Sequence, residues 1–195
     1  MADCNAAHRV LCNPATEVSA HYLISESGEV QALVPEEMRA WHAGAGSWGG
    51  IQDINSQSIG IELSNTGFAP FAALQMLALE TLLHDIMRRW AIPAHRVIGH
   101  SDCAPGRKID PGPRFDWQRL ARQGLAIWPA EITPLEPDAG ATDIALQTFG
   151  YTADVPAETR LGAFRLRFRP RHTGPSDGID RGLAEHLAAR YPAAT

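Results

Sequence analysis

Cysteine is scarce in this 195-residue chain, which has only Cys4, Cys12 and Cys103. Three thiols make no closed disulfide framework, so reduced cysteines are expected. Cys103 reads as a small buried apolar residue. Long apolar runs are missing too: none approaches the roughly 20 residues a transmembrane helix needs. The opening residues, Met1 to Asn5, carry neither a basic nor an apolar stretch, so no secretory signal is visible. A cytoplasmic address is therefore expected, with the periplasm or cell envelope as the alternative if the natural start lies upstream. Positive charge is in deficit, 17 Lys and Arg against 22 Asp and Glu. That balance argues against nucleic-acid binding driven by phosphate neutralisation.

Apolar residues make up 45% of the chain and charged residues 20%, which suits a packed core under an ordinary soluble surface. The length fits one domain of ordinary size and a small second one. Asp3 can cap a short helix over residues 4–12, which Asn13 and Pro14 stop. Two β-rich runs at 18–24 and 29–34 flank a turn containing Gly28 and read as a hairpin. A helical turn over 36–40 and a long irregular loop over 43–57 follow. Residues 58–64 read as a strand with Ile59, Ile61 and Leu63 on one face and Gly60 and Glu62 on the other. A helix is predicted over 70–90, with Leu79, Leu82, Leu83, Ile86, Met87 and Trp90 forming its buried stripe. Residues 96–99 are expected to form a strand delivering His100, and 115–123 a further helix.

Chemistry concentrates between Val97 and Gly112. There His100, Lys108 and Asp110 place an imidazole, a cation and a carboxylate on a loop stiffened by Pro105 and Pro111. Such a loop belongs either to a site or to a solvated turn with ordinary surface charges. Glu62 adds weight, because a carboxylate on an otherwise apolar strand costs free energy unless solvated, paired or used.

Composition shifts to Pro, Glu, Asp, Gly and Thr over 130–141, which marks a linker. Beyond it, helices predicted over 143–149, 158–168 and 179–191 suit a small three-helix unit. The expected organisation is a first domain over 1–129, the linker, and a helical domain over 142–195.

Four segments carry a resemblance: residues 18–24, 41–44, 54–62 and 99–112, the last holding His100, Lys108, Asp110 and the turn between them. In this order and spacing the chain resembles the zinc-dependent N-acetylmuramoyl-L-alanine amidases, whose fold is shared with peptidoglycan recognition proteins. The resemblance implies an α/β fold: a mixed central sheet flanked by helices, followed by the three-helix module. It implies hydrolysis of the amide between the lactyl group of N-acetylmuramic acid and L-alanine, in peptidoglycan or in muropeptide fragments. It further implies Zn2+ held by His100 and Asp110, Glu62 passing the water's proton to the leaving amine, and Lys108 facing the scissile carbonyl. His42 matches a position near the substrate cleft, and Asn65 lies where it could contact the peptide. His21, in mid-strand, reads as a structural imidazole. In the C-terminal part, Phe149, Gly150 and Tyr151, the run ending at Phe168, and residues 176–179 resemble a peptidoglycan-binding domain.

The chain departs from this family at one point. The family's first zinc histidine sits on an early strand ahead of the short helix, and His8 falls inside that helix instead. Three readings follow. The natural start lies upstream; the protein binds muropeptides without cutting them; or His21 or His42 completes the metal site.

Overall fold

The computed structural model describes residues 3–129 and 131–193. Its sheet has three short strands in the order β2-β1-β3, namely β1 (Tyr22–Ile24), β2 (Val30–Ala32) and β3 (Ile61–Leu63). β1 pairs antiparallel with β2 and parallel with β3, in a register that sets Leu23 beside Glu62 and Ile24 beside Leu63. The sheet is mixed and flanked by helices, as expected.

Alternation along the strands decides what each sheet face meets. Ile24, Ile61 and Leu63 pack against α2 (Ala73–Trp90) through Met76, Leu79 and Leu83. Leu23 points the other way, into a cluster with Ala7 and Leu11 of α1 (Cys4–Leu11). The Asp3 carboxylate caps α1 by accepting from the Asn5 N–H at 2.9 Å, which satisfies one of the four orphan donors of a helix start. Glu62 therefore lies on the α1 side, opposite the apolar face predicted for Ile61 and Leu63.

Two polar side chains lock α2 to the sheet. Gln75 is fully buried, and its amide nitrogen donates to Ile24 O (3.0 Å) and Ser64 O (3.2 Å), tying together the ends of β1 and β3. Glu36 accepts from the Tyr22 hydroxyl (2.6 Å), from Arg89 and from the Trp90 indole N–H. Trp90, expected on the buried stripe, is 45% exposed, because its ring lies along the surface to reach Glu36.

The Arg89 guanidinium, with smaller help from Tyr22 and Trp90, holds the Glu36 carboxyl down at about 2. A carboxylate depressed when folded stabilises above its unfolded value, and that contribution disappears as pH falls toward the folded one. Urea midpoints should therefore put wild type above Glu36→Gln at pH 6. The difference should shrink steadily between about pH 5 and pH 2. A gap that stays constant to pH 2 would contradict this.

Residues 96–99 do not form the expected strand. A 3-10 turn (Ala94–Arg96) leads into extended backbone, and His100 opens the short helix α3 (His100–Cys103). The Gly99 N–H, which a ladder would use, donates instead to the Asp102 carboxylate at 2.8 Å. α4 (Trp117–Arg122) falls inside the predicted helix.

The C-terminal helices are α5 (Ala139–Phe149), α6 (Ala157–Phe168) and α7 (Gly178–Arg190). α5 starts within the stretch expected as linker, since the Asp138 side chain caps it by accepting from Ala141 N–H. These helices share a core with the first part of the chain: Ala43, Trp48, Ile54 and Cys103 join Phe149, Tyr151, Phe164 and Leu187. Trp48, in the middle of the irregular loop, meets Phe149 and Tyr151 edge-on, with ring centroids 5.5 and 5.0 Å apart. Gly150 permits this approach, because a Cβ there would stand 2.7 Å from the indole. No helix among the described residues is long and apolar enough to cross a membrane.

Candidate active site

His100 and Asp110 meet although ten residues separate them. The Ser101 N–H donates to Asp110 O (2.9 Å), closing the loop so that Asp110 Oδ2 stands 3.0 Å from His100 Nδ1. Gly99 lets the loop close this tightly, since a Cβ there would stand 2.7 Å from Pro111 Cδ. On its other side, His100 Nε2 lies 2.7 Å from Ala43 O, and a carbonyl can only accept. Nε2 is therefore the donor in this contact. Arg107 donates to the same carbonyl and to Ala45 O, both at 2.5 Å, which pins the strand of loop that fixes the ring.

The other ring nitrogen, Nδ1, is aimed at a carboxylate oxygen. Two acceptors 3.0 Å apart repel unless a proton or a cation sits between them. Ligands at about 2.0–2.1 Å in a tetrahedral zinc site lie about 3.3 Å from each other. A ring whose far N–H donates to a backbone carbonyl is also the usual outer support of a metal-binding histidine. The pair fits zinc as two of its ligands. Among the described residues no third His, Cys, Asp or Glu completes a three-ligand group with them.

Glu62 and Lys108 face the same place. Burial raises the Glu62 carboxyl above the usual range, and the Asp110 charge adds to this while His100 and Lys108 oppose it. Burial also works to raise Asp110, but the contact with His100 and the charges of His100 and Lys108 more than offset it, and its carboxyl is lowered. The Lys108 charge thus acts on both carboxylates. Its backbone N–H is held by Ala104 O at 3.0 Å, in the turn that ends α3.

His21 and His42 stand apart from that pair. His21 is fully buried, with Nδ1 accepting from Gly60 N–H (2.9 Å) and Nε2 donating to Met38 O (3.0 Å). Both nitrogens are engaged, so no lone pair is left for a metal. His42 packs flat on Gly60, where a Cβ would lie 2.3 Å from its Cγ, and edge-on to His21 at 5.5 Å. Burial first, then the neighbouring histidines, lower the His42 pKa to about 4. It is neutral at pH 7. The Asn65 carbonyl oxygen accepts from Gly67 N–H (2.7 Å) and its amide nitrogen donates to Pro70 O (3.2 Å), so this side chain braces the loop before α2.

Cys103 is buried, and burial pushes its thiol up to about 12, as befits a packing residue. His172, Asp177 and Asp180 lie close enough together to hold an ion. However, Arg165 and Arg169 already neutralise these carboxylates. Sequence reasoning missed Asp102, the fully buried neighbour of the site loop. The Asp at the third turn position of α3 was its one visible signal.

The N-acetylmuramoyl-L-alanine amidase family model matches residues 1–113. The N-acetylmuramoyl-L-alanine amidase AmiD of Escherichia coli K12 is 37% identical over 90% of this chain and 75% of its own length. The 1,6-anhydro-N-acetylmuramyl-L-alanine amidase AmpD of Enterobacter cloacae is 44% identical over 60% of this chain and 62% of that one. Among solved structures, E. coli AmiD in complex with the substrate anhydro-N-acetylmuramic acid-L-Ala-D-gamma-Glu-L-Lys superposes with a TM-score of 0.89 at 34% identity. The match covers 98% of this chain and 86% of that one. AmpDh3 of Pseudomonas aeruginosa with anhydromuramic pentapeptide gives 0.75 at 29% identity, over 98% and 89% of the two chains. By its sequence and its fold, the chain belongs to the N-acetylmuramoyl-L-alanine amidase family.

Proposed function

We propose that this chain hydrolyses the amide between the lactyl group of N-acetylmuramic acid and L-alanine in peptidoglycan fragments, using zinc. The carrying observation is the 3.0 Å approach of His100 Nδ1 to Asp110 Oδ2, set beside Glu62 and Lys108. The substrate-bound AmiD and the muropeptide-bound AmpDh3 support a muropeptide as the ligand class.

His100 and Asp110 would hold the metal, which supplies a Lewis acid and lowers the pKa of water toward 7 when bound. The chain's own groups do the rest. Glu62, with its raised pKa, takes a proton from the attacking water and returns it to the alanine nitrogen as the amide breaks. Lys108 places a fixed positive charge where the carbonyl oxygen becomes negative. His42, neutral and packed against Gly60, lines the cleft as a hydrogen-bonding wall and adds no charge. The three C-terminal helices are read as the peptidoglycan-binding-like module, which would hold glycan beside the cleft.

The two-ligand set favours one rival, a muropeptide binder without turnover. Zinc titration and peptide release from an anhydro-muropeptide separate the two. The amidase reading expects one zinc per chain and stoichiometric release of the peptide with a free L-alanine amine. It also expects chelation to stop turnover and zinc to restore it. Muropeptide binding with no zinc uptake and no released peptide would overturn it in favour of the binder.

A further inference from the structure

Asp102 is fully buried two residues after His100, and its carboxylate has three donors. Gly99 N–H reaches Oδ2 at 2.8 Å, the Tyr151 hydroxyl reaches Oδ1 at 2.5 Å, and Arg167 Nη1 reaches Oδ2 at 3.1 Å. The first donor belongs to the turn that opens α3 and presents His100. The other two come from the C-terminal helical part, Tyr151 just after α5 and Arg167 on α6.

Arg167 is an expensive way to join two surfaces. Its guanidinium lies over the Trp117 ring at 4.1 Å, and its side chain is 1% exposed. Its Nε and Nη2 have no hydrogen-bond partner. A buried ion pair seldom stabilises more than well-packed apolar side chains of the same volume. The rings beside its guanidinium, Trp117 on α4 and Phe168 on α6, are apolar, and Leu or Met would fill the same space without stranding two nitrogens. What an apolar pair cannot do is orient a carboxylate. Asp102 must point at Gly99 N–H for α3 to start where it does, and α3 starts at His100.

We infer that Tyr151 and Arg167 are positioning residues for the active site, aiming His100 through the Asp102 carboxylate. The C-terminal helices thereby form part of the catalytic framework. This inference rests on the amidase reading for its kinetic consequence, although the aiming of His100 can be measured without turnover.

Tyr151→Phe tests it by removing one hydroxyl at nearly constant volume. An outer support of a ligating histidine typically matters by 10–100-fold. Tyr151→Phe is accordingly expected to lower kcat by about tenfold with KM unchanged. In metal-free protein, the nitrogen-15 shifts of the His100 ring should move away from the wild-type pattern. Thr152→Ala is the comparison. Thr152 Oγ1 bonds the Ser47 hydroxyl (2.7 Å) and Gly50 N–H (2.9 Å) across the same interface without touching α3. It should leave kcat and the His100 spectrum unchanged. An unaltered His100 spectrum in Tyr151→Phe overturns the inference. So does an equal change in Thr152→Ala, which would reduce both residues to plain interface contacts. Should wild type release no peptide, the amidase reading fails, and the His100 spectrum still decides whether Tyr151 aims that ring.

Discussion

Glu62→Gln should lower kcat by about 10²–10⁴-fold, the usual worth of a positioned general acid–base. Zinc stoichiometry should be unchanged, because Glu62 is not one of the two proposed ligands, His100 and Asp110. The position of Glu62 follows from strand alternation: β3 buries Ile61 and Leu63 against α2 and turns the intervening carboxylate toward α1 and the site. Burial raises its pKa, and this has a second consequence. A carboxyl that binds its proton more tightly when folded costs stability as pH rises above its unfolded value. At pH 7 Glu62→Gln should therefore melt at or above the wild-type temperature while losing turnover. Steady-state kinetics, zinc analysis and thermal melts check all three parts together. Full activity in this variant, or loss of zinc, would remove Glu62 from its proposed role.

Phe164→Ala should destabilise the whole chain by about 3–5 kcal/mol, the range for deleting a buried aromatic side chain. It should do so in one transition. Phe164 is fully buried in the cluster that contains Trp48, Ile54 and Cys103 from the first part of the chain. Its ring lies 6.0 Å from Tyr151 and 4.9 Å from Phe168. Loss of this ring leaves a cavity that neither side can close alone, so both sides give way together. Urea unfolding followed by tryptophan fluorescence and by far-ultraviolet circular dichroism should yield coincident curves shifted to lower urea. Two separated transitions, with only the helical part weakened, would mean that the modules fold independently.

Local rules were enough for most elements. Asp3 before an apolar stripe led to α1 with its cap in place, and the hairpin around Gly28 and the long helix before Ile92 followed from period and punctuation. Glu62 stood out because a charge interrupted an apolar alternation, and His100, Lys108 and Asp110 because one short loop held all three. Where local rules failed, a distant partner had intervened. Trp90 left the stripe for Glu36, 54 residues away. Residues 96–99 are the exception, since the Asp102 carboxylate that takes the Gly99 N–H in place of a strand ladder lies only three residues on.

What the sequence determined by itself was which groups are candidates for the chemistry and most of the elements around them, since both depend on neighbours along the chain. Only the tertiary structure could decide which nitrogen of His100 turns toward Asp110. That choice belongs to Ala43 O, 57 residues earlier. Likewise, Arg167 looks like any surface cation on a helix until Asp102, 65 residues away, and the face of Trp117 enclose it. Such partners come together when the apolar surfaces around Trp48 and Phe164 are buried, and hydrophobic burial, being non-directional, leaves no pattern in the sequence that names the polar pairs it will enclose.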